Sequence, residues 1–328
     1  MFATIINKAI VQGIPLLFGS TGEIITEKSG NLNLGIPGIM YVGGSAGVLG
    51  AYLYERSCML SGTAPVGFWC IVIPLLSSLL GSALLALIYS FLTITLRANQ
   101  NVTGLALTTF GVGFGDFFGG SLTKIFGEGG NLNVKTTADY FKVTLPFADE
   151  LGAFGKIFFS YGFLVYVAII IAFVSAFILK KTRVGLHLRA VGENPATADA
   201  AGISVSKYKY AATIIGGAIA GLGGLYFIMD YTGGSWTNGG FGDRGWLVIA
   251  LVIFALWKPN VGILGSFIFG GLYIASVYIE GLGNATKEMI KMLPYLVTIV
   301  VLIITSMRNK KENQPPQSLG LPYFREER

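Results

Sequence analysis

Apolar stretches of about 20 residues, separated by short polar punctuation, recur along this chain, and that length is what an α-helix needs to cross a bilayer. The spans fall at approximately 4–22, 35–54, 67–96, 102–122, 157–179, 208–229, 245–257, 262–280 and 289–307. The third is too long for one perpendicular crossing and contains Pro74, so tilt or a proline break must absorb the excess. The seventh is short, and Lys258-Pro259-Asn260 separates it from the eighth. That pair reads either as two crossings or as one hairpin that fails to cross fully. The expected fold is all-α: a polytopic transmembrane helical bundle of about nine spans (8–10). Composition agrees. Only 12% of the 328 residues are charged, against roughly 25% in an ordinary soluble domain. The 46 glycines suit membrane helices, whose backbones approach closely at small residues.

The N-terminal stretch lacks a basic leader and a small-x-small cleavage site, so it reads as a retained first helix. Charge sets the expected orientation. The segment 180–209 holds Lys180, Lys181, Arg183, Arg189, Lys207 and Lys209 against Glu193 and Asp199. With that segment and the tail after Met307 inside, the inner side carries 14 Lys and Arg and the outer side 9. The bias follows the positive-inside rule, with the N-terminus outside and the C-terminus cytoplasmic. The net charge of +6 is thereby explained by basic cytoplasmic loops, and nucleic acid is not an expected partner. Residues 1–307 form one transmembrane domain. Residues 308–328, with Pro315-Pro316, mixed charge and no apolar period, read as a disordered cytoplasmic tail. Cys58, Cys70 and the single His187 give no metal spacing, so neither a metal site nor a catalytic centre is expected.

Three segments carry chemistry. Between the first two spans, Gly30-Asn31-Leu32-Asn33-Leu34-Gly35-Ile36-Pro37-Gly38 disfavours a continuous helix. It reads either as a plain cytoplasmic turn or as a broken helix edging a substrate route, because irregular backbone at membrane depth must be buried or line a cavity. After the third span, Asn99, Gln100 and Asn101 offer amides that can bond neutral polar groups, with Thr108 and Asp116 following in an apolar span. Asp116 lies six residues from the outer end of that span, so a solvated carboxylate is the preferred reading. Asn31, Asn33, Asn99, Gln100, Asn101 and Thr108 are the candidate substrate-route residues. The third segment runs Arg189-Ala190-Val191-Gly192-Glu193-Asn194-Pro195-Ala196-Thr197-Ala198-Asp199-Ala200-Ala201-Gly202-Ile203. Asn194 is a good N-cap, Pro195 suits the first helical position and Gly202 suits the C′ position. The expected product is a short, smooth-faced cytoplasmic helix that serves as a docking peg.

This third segment resembles the coupling loop of permeases in the branched-chain amino acid, ribose and nucleoside ABC importer superfamily, roughly A-V-G-x-N-P-x-A-A-x-x-A-G-I. The match falls on Ala190, Val191, Gly192, Asn194, Pro195, Ala198, Ala201, Gly202 and Ile203, with Thr197 in place of one alanine. Ser29-Gly30 through Asn33-Leu34-Gly35 is similar to the superfamily's S-G-x-x-N-L-G-x-x-G, nearest the nucleoside and simple-sugar branch. Arg244-Gly245-Trp246 through Ala250, Ile253-Phe254, Trp257 and Pro259 resembles a later region of that branch, with Ala255 where glycine is usual. The resemblance implies a permease subunit in the cell membrane with no cofactor of its own. A cytoplasmic ATPase holding ATP and Mg would dock on Gly192, Glu193, Asn194, Pro195, Ala198, Ala201, Gly202 and Ile203. A second, related permease would complete the channel, and an extracytoplasmic binding (lipo)protein would meet the outer face, with Trp236 and Asn238 as candidate contacts.

Consistent with a borrowed energy source, the sequence has no GxxxxGK[ST] phosphate loop. The main rival is a gradient-driven secondary transporter, which usually carries an ionisable residue at mid-membrane. The predicted spans are nearly free of charge, which counts against it. A membrane enzyme would need an acid–base pair, and His187 beside Arg189 reads as solvated or at the ATPase contact. Amides, hydroxyls and aromatics with few fixed charges suit a neutral polar solute. Nucleosides come first, then ribose-like sugars, then branched-chain amino acids.

Overall fold

The computed structural model describes residues 2–125, 132–146, 148, 150–278, 283–308 and 313–326. Its helices are α1 (Phe2–Glu27), α2 (Ile36–Leu60), α3 (Gly67–Ser90), α4 (Gln100–Ile125), α5 (Lys135–Phe141), α6 (Gly152–Phe158), α7 (Phe163–Lys181), α8 (Arg183–Glu193), α9 (Pro195–Ala200), α10 (Val205–Tyr226), α11 (Arg244–Phe254), α12 (Pro259–Tyr278), α13 (Asn284–Lys291) and α14 (Leu293–Arg308). A single isolated bridge, Asn133 to Ser235, is the strand-like pairing recorded among the described residues. The all-α expectation holds.

The expected count of about nine spans is not confirmed among the described residues. Six described helical stretches are long and apolar enough to cross a membrane, the last formed by α13 with α14 (Ala285–Met307), and two more, α11 and α12, are apolar but shorter over their described length. At 1.5 Å per residue, the 11 residues of α11 reach roughly half of a ~30 Å hydrocarbon core. The predicted span 102–122 is α4, which is long enough at 26 residues but diluted by Gln100, Asn101, four glycines before Gly119 and Asp116. The last two residues of the predicted span 262–280 lie outside the described residues.

Helices α1, α2 and α10 form the centre and are mostly buried, whereas α3, α7 and α14 are mostly exposed along their apolar lengths. Leu76, Leu80, Leu84 and Leu87 on α3 and Ile299, Val300 and Ile303 on α14 face outward, as lipid-facing residues must. The centre is held by backbone-to-backbone approach. A Cβ at Gly216 of α10 would collide with the Gly22 carbonyl oxygen of α1, and a Cβ at Gly22 would collide with the Gly216 carbonyl oxygen. Between apolar helices in lipid, such close packing replaces the hydrophobic drive available in water. Ser78 extends the contact by donating from Oγ to the Gly221 carbonyl at 3.2 Å.

Two expectations are corrected here. First, α1 continues past the predicted boundary at residue 22 and carries Glu23 and Glu27 into the interior, where both are almost fully buried. Lys209 on α10 is buried as well. The bundle is therefore not free of internal charge, and that argument against a secondary transporter fails. Second, the tail is not disordered where it is described. Residues 313–326 lie across the end of the bundle that carries α9, hereafter the α9 end; residues 309–312 and 327–328 of the predicted tail lie outside the described residues.

Candidate functional site

At the α9 end, α8 and α9 form the expected capped peg. Thr182 accepts from the Gly185 amide at 3.1 Å to start α8, and the Asn194 side chain accepts from the Thr197 amide at 3.0 Å to start α9, with Pro195 in its first turn. The Ile203 amide returns to the Ala198 carbonyl and the Gly202 amide to the Asp199 carbonyl. That pairing is a Schellman closure, and it places Gly202 at φ +83°, a conformation natural for glycine. Val191, Ala198 and Val205 pack together and root the peg. Glu193, Asn194, Thr197, Ala200, Ala201 and Gly202 face out, Pro195 and Ile203 are half-buried, and Gly192 is buried. His187 is not free: its Nδ1 bonds the Tyr208 hydroxyl at 2.8 Å and ties α8 to α10.

The tail straps this peg to its neighbours. Ser318 donates from its amide, at 3.0 Å, and from Oγ, at 2.5 Å, to the Gly192 carbonyl. Gly320 donates to the Gly30 carbonyl at 3.3 Å. Tyr323 and Arg325 both donate to Asp199, at 2.8 and 3.1 Å. Lys258 reaches Asn313 at 2.7 Å, and the Arg97 guanidinium lies 4.5 Å over the Phe324 ring. One short segment thus joins the α1–α2 turn, the α3–α4 turn, the peg and the α11–α12 turn. Beside it, burial lowers the Lys28 ammonium pKa, an effect opposed by the Glu193 carboxylate. Removing residues 313–328 should speed amide exchange across 192–202 by more than about tenfold, since several hydrogen bonds of roughly 0.5–1.5 kcal/mol each are lost. Unchanged exchange there would mean that the strap holds nothing.

The predicted substrate-route residues come together only in part. Asn31, Asn33, Gln100 and Thr108 converge, but they are buried and bond internally. Asn31 donates to Thr213 at 3.2 Å, Asn33 accepts from the Gly35 amide at 3.0 Å, Gln100 accepts from the Leu32 amide at 2.7 Å and Thr108 donates to the Leu34 carbonyl at 2.8 Å. The Asn33 amide donates to Glu23 at 3.1 Å, the Tyr89 hydroxyl bonds the Leu32 carbonyl and the Trp257 indole bonds Glu27. This knot pairs much of the irregular backbone of residues 28–35 inside protein, as such backbone requires at membrane depth, and leaves Glu23 Oε2, Asn31 Oδ1 and Asn33 Nδ2 buried without a partner among the described residues. Asn99 caps α4, accepting from the Val102 amide at 3.1 Å, and Asn101 is exposed. Four of the six hold this turn, Asn99 starts α4 and Asn101 faces out, so the six do not come together in one place.

At the opposite end, the loop end, the structure builds a cavity that the sequence did not reveal. It has a volume of about 400 Å³. Tyr41 of α2, Phe227 and Tyr231 on the π-helical turn Phe227–Tyr231 that continues α10, Trp236 and Phe241 of the following loop, and Tyr273 of α12 line it. The Val134 amide donates to the Gly234 carbonyl and the Trp236 amide to the Leu132 carbonyl, at 2.9 and 3.0 Å, which fastens that loop to the segment before α5. The Gly239 amide donates to the Tyr41 hydroxyl at 2.9 Å and to Asp116 at 3.3 Å, and Tyr41 also bonds Asp116. Asp116 is a half-buried anchor for this loop and not simply solvated, as the sequence reading preferred. Of the two residues expected at the outer face, Asn238 is exposed and Trp236 is turned inward, meeting Tyr41 edge-to-face at 5.4 Å.

The structure is thus an all-α bundle with the capped α8–α9 segment at one end and an aromatic cavity at the other. Residues 5–302 match the family described as "Branched-chain amino acid transport system / permease component". The chain belongs to this family of permeases. It is 31% identical to the nucleoside ABC transporter permease protein NupC of Lactococcus lactis subsp. cremoris, over 92% of this chain and 91% of that one. It is 30% identical to the guanosine ABC transporter permease protein NupQ of Bacillus subtilis, over 100% and 98%. It is also 30% identical, over 99% and 98%, to TsgC13 of Haloferax volcanii, whose name assigns it to glucose transport.

Proposed function

We propose that this chain is the membrane permease of an ATP-driven importer for nucleosides. The observation that carries the reading is the match along nearly the whole chain to permeases named for nucleosides and for guanosine. The aromatic cavity supports it, because a flat heterocycle gains most from rings on several sides. In this reading the exposed face of α9 receives a cytoplasmic ATPase, which holds the ATP and Mg. A second related permease completes the channel, and an extracytoplasmic binding protein delivers the nucleoside to the loop end. ATP-driven closure of the ATPase pair would press on the two pegs and rock the permeases between outward- and inward-facing states, a rigid-body change between two packings.

Simple sugars are the second reading, favoured by the similarity to TsgC13. Competition separates the two. Vesicles carrying the full complex should take up radiolabelled uridine or guanosine, and excess ribose, glucose or leucine should leave that uptake unchanged. Competition by glucose or ribose as strong as that by unlabelled nucleoside would transfer the assignment to sugars.

A further inference from the structure

The cavity at the loop end has the composition of a ligand site, and its deeply buried cation, Arg244, is engaged through the two terminal nitrogens of its guanidinium. Arg244 is 6% exposed. Its Nη1 donates to the Phe241 carbonyl at 2.9 Å and the Gly240 carbonyl at 3.4 Å, and its Nη2 to Gln12 at 3.3 Å. The guanidinium carbon lies 4.5 Å from the Phe227 centroid, 4.9 Å from that of Tyr273 and 5.4 Å from that of Tyr231. Arg244 therefore fixes the rings and the 240–241 backbone, and turns its charge toward ring faces and carbonyls. The cation at the rim, Lys291, is paired with Glu288 at 2.7 Å. The Arg244 Nε–H has no partner among the described residues and the Lys291–Glu288 pair is exposed, so the ligand class is read from the ring surface and not from charge. Six aromatic side chains around about 400 Å³ present far more ring surface than a small sugar needs, and the volume lies within the roughly 300–1,000 Å³ of small-molecule sites.

We propose that this cavity is a nucleobase-binding subsite contained within the single chain. The base stacks among Phe227, Tyr231 and Trp236, and the ribose faces the Ser235 and Thr237 hydroxyls, which also line the cavity. Phe227 and Tyr231 stack on each other at 5.1 Å and 26°, which holds the two rings together on one side of the cavity. This inference rests on the nucleoside reading and adds to it a location: substrate is held inside one permease chain, away from the Asn31–Asn33 knot.

The test uses the full-length chain in lipid nanodiscs, with no binding protein added, and intrinsic tryptophan fluorescence as the readout. Guanosine and uridine should quench saturably, while ribose and leucine should not, and Trp236→Phe should remove most of the quench. Tyr231, at the mouth and 44% exposed, can be truncated with little disturbance to folding. Tyr231→Ala should weaken nucleoside binding about 5- to 100-fold, the range expected for losing one base–aromatic stack. The same variant should raise the KM for uptake by the full complex. ATP-dependent nucleoside uptake with an unchanged KM in Tyr231→Ala and no saturable quench would overturn the subsite while leaving the nucleoside reading intact. Quenching by ribose or leucine equal to that by nucleosides would also overturn it. Failure of the complex to take up any nucleoside would instead overturn the reading on which it rests.

Discussion

Gly216→Ala is expected to lower the melting temperature of the purified chain far more than Gly113→Ala, although both put the same methyl group on a helical glycine. At Gly113 on α4 a Cβ meets nothing within 4 Å, so alanine is harmless or mildly favourable through its better helix propensity. At Gly216 the methyl meets the Gly22 carbonyl oxygen and the Thr26 hydroxyl. Thr26 is itself held, donating to the Gly22 carbonyl at 3.2 Å. Backbone cannot rotate away as a side chain can, so α1 and α10 must separate along their contact. Overpacking of a tight core costs about 1–3 kcal/mol, sometimes more, and Gly216→Val should exceed Gly216→Ala. The consequence reaches function, because α10 leads directly from the peg to Phe227 and Tyr231 at the cavity. Equal melting of Gly216→Ala and Gly113→Ala would show that the α1–α10 approach is not what holds the centre.

Replacing residues 192–202 with a flexible Gly/Ser linker of equal length should abolish ATP-driven uptake, by tenfold or more, without dispersing the bundle. The exposed face of α9 is small and smooth, and its shape is set by the Asn194 cap, the Gly202 closure and the strap across Asp199. A flexible linker keeps the connection but loses the shape, so a push from a docked partner would be absorbed locally. The narrower variant Asn194→Ala removes one cap, worth about 0.5–2 kcal/mol, and should reduce uptake partially while the melting temperature stays near that of the parent. ATP-driven uptake that survives the linker would remove the peg from the coupling mechanism.

What the sequence made legible was local. The peg needed only a cap, a proline and a glycine at fixed spacing, and α9 lies within the segment that those residues mark. The long apolar helices were legible for the same reason, because their signal is a run of adjacent residues. Contacts between distant residues were not. Trp257 meets Glu27 across 230 positions, and nothing near Gly22 announced that two glutamates would continue the helix into the interior. Tyr41, Phe227 and Tyr273 each resemble ordinary membrane-helix aromatics; their convergence depends on how α2, α10 and α12 cross. The tail docks through backbone carbonyls of Gly30 and Gly192, a mode with no apolar period to detect. The amides were read as a substrate route because they stand beside apolar sequence, yet a buried turn needs the same amides to satisfy its own backbone. With Glu23, Glu27 and Lys209 inside the bundle, composition no longer separates the ATP-driven class from the gradient-driven class. The family match does.

The account's central claim is that movement through this chain is driven by ATP hydrolysis on a partner. The most direct test is nucleoside uptake into vesicles carrying the full complex, with ion gradients collapsed and ATP supplied or withheld on the side of α9. Uptake that requires ATP and is indifferent to the gradient is the predicted result. Uptake that ignores ATP and stops when the gradient is collapsed would contradict it, and would move the buried Glu23 and Glu27 from the structural knot to the centre of the mechanism.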